Sequence, residues 1–289
     1  MKRLFQYLEA IPKSKRWVLL VVLLSIAAVP LSINLFYVSD ELRRLMENQL
    51  FFVGIVLVVY VTWLALLYWL QKNDHVRLRH LSLTKAAITK GLLWGLILFL
   101  AVNTVLLLKA VFTADSLMLT KKFASLEGIS KSLGVFTFNV CLNAFVEEVL
   151  CRAYIIPQFY LLLLEKIKTK GMALLLALLA TQALFALLHL PRDLFRFDLE
   201  LATIISTQAQ LFMSGIILSL VYLRTRNVLF LALFHAFMNY GLPIVGADAD
   251  FKLYYMVSAF ALTVFWSKLA GAGRAKDELA PELLVDKIG

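Results

Sequence analysis

Runs of about 20 nearly uncharged residues recur along the chain, the length needed to cross a bilayer core of about 30 Å. Eight are expected as transmembrane helices: residues 17–38, 51–70, 91–113, a stretch within 132–164, 171–190, 201–223, 228–247 and about 251–269. Eight spans use about 160 residues, so a chain of 289 residues has no room for a separate soluble domain. Composition agrees: 61% of residues are hydrophobic and 17% charged, with a mean hydropathy of +0.82. Soluble domains carry about 45–50% apolar and about 25% charged residues. A water-soluble globule is therefore excluded. The expected fold is all-α, a polytopic membrane protein of about eight transmembrane helices, with any active site inside the bundle. Residues 1–130 are read as the first three helices and basic loops, 131–247 as helices four to seven, and 248–289 as the last helix and a polar tail.

A net charge of +10 would suggest nucleic acid in a soluble protein. Here most Lys and Arg fall between the apolar runs, so they are read as setting topology, and no nucleic-acid partner is expected. With the N-terminus inside, inner segments hold 19 of the 29 basic residues and outer segments nine, with Arg152 inside a span. This bias favours cytoplasmic N- and C-termini. No short apolar region ends in a small-residue cleavage site near the N-terminus, so the first run is expected to be a retained span. Pro30 is expected to kink that span, and Pro157 to bend the long fourth segment. Cys141 and Cys151 lie ten residues apart on one expected helix, about 15 Å, too far to bond.

A charge at the bilayer centre costs several kcal/mol, so ionisable residues inside spans are functional candidates. The fourth span holds Glu147, Glu148 and Arg152, the fifth His189, and the seventh His235 with Asn239. His75 and His80 sit in a basic loop and read as solvated. Glu148 and Arg152, four apart with the acid first, can form an intrahelical ion pair. Glu147 lies about 100° round the helix and is not committed to that arginine. A carboxylate and a histidine could activate water, while a histidine and an amide could donate to a developing oxyanion. The bland alternative is that these groups only join helices. Two adjacent glutamates resist it, since one arginine neutralises one of them.

These residues stand as Glu147-Glu148-x-x-x-Arg152, Phe185-x-x-x-His189 and His235-x-x-x-Asn239, in order and inside apolar spans. In this the sequence resembles the CPBP family, the CAAX-protease and bacteriocin-processing membrane proteins formerly called Abi. Phe212-Met-Ser-Gly215 and the short turn Arg224-Thr-Arg-Asn227 also fit, so the resemblance covers about residues 130–245 and makes 131–247 the catalytic core. It implies an intramembrane glutamate-type endopeptidase, similar to type II CAAX prenyl proteases. Glu147 with His189 would activate the water and His235 with Asn239 would form the oxyanion hole. Glu148 and Arg152 would support the site, and Phe185 would pack near it. No metal or other cofactor is implied. The expected partners are the lipid bilayer and a peptide or membrane-anchored protein with a prenylated or otherwise hydrophobic C-terminus. The expected location is the bacterial cytoplasmic (inner) membrane.

Three rivals use the same residues. A carboxylate and two histidines could bind Zn²⁺ with an open fourth position, although no His-Glu-x-x-His is present. A non-catalytic scaffold or bacteriocin-immunity protein fits everything except the intact motifs. A transporter would be expected to show internal repeats, and none is seen. Rhomboid-type and aspartyl intramembrane proteases are disfavoured, because Ser214-Gly215 lacks the preceding glycine of Gly-x-Ser-Gly and no Gly-x-Gly-Asp occurs.

Overall fold

A computed structural model describes residues 2–113 and 118–269. Among the described residues the fold is all-helical, 82% helix. In chain order the helices are α1 (Lys2–Ala10), α2 (Arg16–Leu35), α3 (Asp40–Glu47), α4 (Gln49–Asn73), α5 (Lys85–Phe112), α6 (Leu126–Phe138), α7 (Phe145–Glu147), α8 (Ile156–Leu164), α9 (Lys170–Leu187), α10 (Leu201–Thr225), α11 (Val228–Asn239) and α12 (Asp248–Leu269). Two π-helical stretches, Asn139–Ala144 and Glu148–Ile155, join α6, α7 and α8. Six segments among the described residues are long and apolar enough to cross a membrane: Arg16–Leu35, Gln49–Asn73, Leu78–Phe112, Leu126–Leu164, Lys170–Arg196 and Leu201–Thr225. Their outward faces are greasy; only 11% of the α4 apolar window is buried, and Leu24 and Val58 are about 60% exposed. Such faces require lipid. The protein is a polytopic helical membrane protein.

The expected count of eight spans needs adjustment at the C-terminal end. The apolar run 228–247 yields a helix of 12 residues, α11, about 18 Å long and too short to cross alone. It ends because Gly241 and Pro243 follow, and proline cannot continue the helical ladder. The 22-residue α12 is long enough but is not among the six apolar segments. Pro157 is the second residue of α8, at the junction where the second π stretch passes into α-helix. The polar tail expected beyond the last helix lies outside the described residues.

Two compact units emerge, 1–81 with 150–219 and 82–149 with 220–289. In the first, the N-terminal segment is a packed element and not only a basic flank. Leu4, Phe5 and Leu8 share one side of α1 at helical spacing. Phe5 stacks on Tyr160 at 6.2 Å, and the Tyr160 hydroxyl and Lys170 ammonium both donate to Glu9, each at 2.9 Å. The Lys170 contact holds the Glu9 carboxyl below its ordinary value. Behind it, the Ser14 amide donates to Gln158 at 2.8 Å, and the Ser14 hydroxyl meets Asp74 and Tyr154. His80, expected to be solvated, is instead buried, its Nδ1 accepting the Arg77 amide at 2.9 Å. His75 is exposed.

In the second unit α11 is the central rod. Val228 and every residue from Phe230 to Phe237 are buried, as expected for a helix apolar on all sides. Phe237 contacts Phe136, Phe99, Tyr255 and Phe251 at ring separations of 4.3–5.8 Å. On another side Ala232 and Ala236 meet Ala144, small residues that allow close helix approach. Asn227 caps α11 by accepting the Phe230 amide at 2.9 Å and donates to the Ala87 carbonyl of α5 at 2.8 Å. The contact depends on Gly91 having no side chain. A Cβ there would lie 2.6 Å from Asn227 Oδ1 and 2.9 Å from the Phe230 nitrogen. Gly91→Ala is expected to lower stability by about 1–3 kcal/mol through overpacking. Denaturant titration in detergent checks this, with Gly54→Ala, which meets nothing within 4 Å, as the neutral control.

Candidate functional site

The long fourth segment leaves regular α-helical geometry where its charges are. Glu147 closes the three-residue α7, and Glu148 opens the π stretch Glu148–Ile155. Such i→i+5 turns gather at functional sites, because they displace side chains from ordinary helical positions. In the second unit Glu148 is fully buried, and its carboxylate accepts the Nδ1–H of His235 at 2.7 Å. Glu147 Oε2 lies 4.0 Å from the other ring nitrogen, Nε2. The two glutamates thus address opposite nitrogens of one imidazole. Their exposure differs: the Glu147 side chain is 24% accessible and that of Glu148 0%. The Glu147 side chain is partly accessible although Oε2, its oxygen nearest Nε2, is itself buried, whereas Glu148 is placed to orient the ring.

Bonding to a carboxylate at Nδ1 fixes the histidine tautomer. With Glu148 ionised, Nδ1 keeps its proton, so neutral His235 presents a lone pair at Nε2 and the imidazolium presents an N–H. Asn239, the last residue of α11 and one turn beyond His235, is exposed; its backbone carbonyl accepts Lys252 Nζ at 3.4 Å.

The remaining residues of the motifs fall in the first unit. Arg152 is completely buried. Its guanidinium lies over the Phe185 ring, 4.2 Å from the centroid, and donates to Gln182 Oε1 at 3.3 Å. Gln182 in turn donates to Ser219 at 2.9 Å. Gly215 leaves room for this network, since a Cβ there would run into Gln182 Oε1. Phe185 also meets the His189 ring edge-on at 4.8 Å, and its carbonyl accepts His189 Nδ1–H at 2.8 Å. A carbonyl only accepts, so neutral His189 carries its lone pair on Nε2, as His235 does. Gln182, one helical turn before Ala186 on α9, was not singled out from sequence. An amide inside an apolar run was the available signal.

Among the described residues, no group of three or more His, Cys, Asp or Glu side chains is arranged to hold a metal ion. Every motif residue from Glu147 to Asn239 lies within the stretch that comparison with known families identifies. Residues 129–241 match the family described as type II CAAX prenyl endopeptidase Rce1-like. No curated protein and no solved structure matches the chain. The Rce1-like segment starts in α6 and ends just after α11, so it takes in both π stretches and the Glu148–His235 pair. At family level it supports a CAAX-protease-like membrane peptidase, in keeping with the six apolar segments.

Proposed function

We propose that the protein is an intramembrane endopeptidase in which Glu147 is the general base and His235, held by Glu148, stabilises the charge that develops on the scissile carbonyl. The observation that carries this reading is the buried 2.7 Å contact between Glu148 and His235 Nδ1, with partly accessible Glu147 near Nε2. Water adds to the carbonyl carbon and its proton passes to Glu147, giving a tetrahedral oxyanion. Collapse breaks the carbon–nitrogen bond, and the leaving amine takes the proton back from Glu147. A proton on His235 makes Nε2 a donor to the oxyanion, and ionised Glu148 stabilises that imidazolium, as a buried carboxylate does behind a catalytic histidine. Asn239 supplies the second donor. His189 assists water activation through Nε2, the nitrogen that its bond to Phe185 leaves with a lone pair.

The substrate is a peptide, or the membrane-adjacent end of a protein, with a hydrophobic C-terminus. We place the protein in a bacterial cytoplasmic membrane with both termini inside. Mass spectrometry of cleavage products in liposomes tests the activity, using paired farnesylated and unmodified peptides with wild type and Glu147→Ala. Products present only with wild type are expected. A matching product set from both proteins would overturn the proposal. The same preparation is expected to keep its activity in chelator, since the chemistry is assigned without a metal. Stoichiometric zinc whose removal abolishes cleavage would replace the mechanism with metal-assisted hydrolysis.

A further inference from the structure

A second polar site lies in the first unit, built from residues that the peptidase reading does not use. The link between α2 and α4 and the turn Arg192–Arg196 enclose a cleft of about 260 Å³, lined by Tyr37, Arg43, Met46, Glu47, Arg196 and Phe197. The Arg196 guanidinium lies 5.2 Å from the Tyr37 ring and 5.7 Å from the Phe197 ring. Arg43 donates to the Tyr37 carbonyl at 3.2 Å. Neighbouring Arg192 is neutralised differently: it pairs at 2.7 Å with fully buried Asp193, whose other oxygen accepts from Gln208 at 2.9 Å. That carboxylate is therefore committed. Among the described residues neither Arg43, Arg196 nor Glu47 makes an ion pair. Two positioned guanidiniums and a carboxylate thus line one cleft with their charges unmatched.

The surroundings say what suits it. Three apolar segments terminate here: α2 ends at Leu35, α4 begins at Gln49, and the fifth ends at Arg196. The cleft consequently sits at the level of a membrane surface. Of its lining, Phe197 is 51% exposed, and Val38 and Leu194, close in sequence to Tyr37 and Arg196, are exposed apolar side chains at 59% and 43%. Guanidinium forks match phosphate oxygens, and aromatic faces leave those forks free to donate at their edges. Glu47 disfavours a bare carboxylate ligand and accepts from a hydroxyl or amine. We propose that this cleft binds a phosphodiester, the headgroup of a phospholipid whose acyl chains lie over the exposed apolar side chains. Arg43 and Arg196 hold the phosphate, and Glu47 accepts from the headgroup's hydroxyl or amine.

The test titrates the purified full-length protein in detergent with short-chain phosphatidylglycerol, with glycerol 3-phosphate and with an acetylated peptide carboxylate, reading binding by thermophoresis. Saturable binding of the phosphatidylglycerol is expected, weakened about tenfold in Arg196→Gln and further in Arg43→Gln/Arg196→Gln, since each substitution removes a charge-assisted contact to the phosphate. Glycerol 3-phosphate binding as tightly as the lipid would keep the phosphate site and overturn the lipid as its source. No saturable binding, binding unchanged in the double variant, or preference for the peptide carboxylate would overturn the site itself. Unchanged helix content by circular dichroism shows that the variants are folded. Because the readout is binding, its failure is separable from failure of the peptidase reading.

Discussion

Glu147→Gln is expected to reduce peptide-bond cleavage by about 10²–10⁴-fold, the usual contribution of a positioned general base. Gln keeps the shape and an acceptor oxygen but cannot take a proton from water. Stability should change little, because Gln has the shape of Glu and the side chain at this position is 24% accessible. The measurement is kcat on a fixed peptide in liposomes, with unfolding in detergent followed in parallel. A folded Glu147→Gln protein with wild-type kcat would remove Glu147 from the chemistry. Glu147→Asp offers a finer reading: it restores a base about one methylene short, so partial recovery over Gln is expected if proton transfer from a positioned water limits the rate.

Much of the candidate site could be read from sequence because a lipid-facing chain can afford so few charges. Glu147, Glu148, Arg152, His189 and His235 stand out against their apolar neighbours, and no other signal was needed to find them. Their pairing was harder to read. Spacing offers Glu148 an arginine one turn on but cannot show its contact with His235, which spans 87 positions and forms where α11 packs beside α7. Nothing in hydrophobic periodicity marks an i→i+5 turn, so side-chain directions taken at 100° per residue fail along Glu148–Ile155. One span was overextended for a related reason: hydropathy sees 228–247 as one apolar run, while Gly241 and Pro243 limit the helix to Val228–Asn239. The α1 helix carried a usable amphipathic pattern, overshadowed by its charge. The cleft at Arg43 and Arg196 was not legible at all, since those arginines are 153 positions apart and counted only towards topology.

Glu148 is where structure and chemistry are most closely joined, and its variants should separate the two. Glu148→Ala removes the carboxylate from His235 Nδ1 in a fully buried place, and a loss of about 1–3 kcal/mol in stability is expected from the desolvated imidazole. The second variant, His235→Ala, costs a similar amount by stranding the carboxylate. The double variant strands neither, so its loss should fall short of the sum by about 0.5–3 kcal/mol. Additive losses would mean that the 2.7 Å contact contributes nothing. Glu148→Gln addresses the chemistry alone: its amide oxygen can still accept Nδ1–H and hold the ring, but it cannot stabilise an imidazolium. The expected outcome is near-normal stability and KM with a much lower kcat, as when a neutral amide replaces the carboxylate behind a catalytic histidine. The pH profile of kcat should also change in Glu148→Gln, which a purely structural role would leave in place. Wild-type kcat and an unaltered pH profile in Glu148→Gln would restrict Glu148 to packing and leave His235 to act without it.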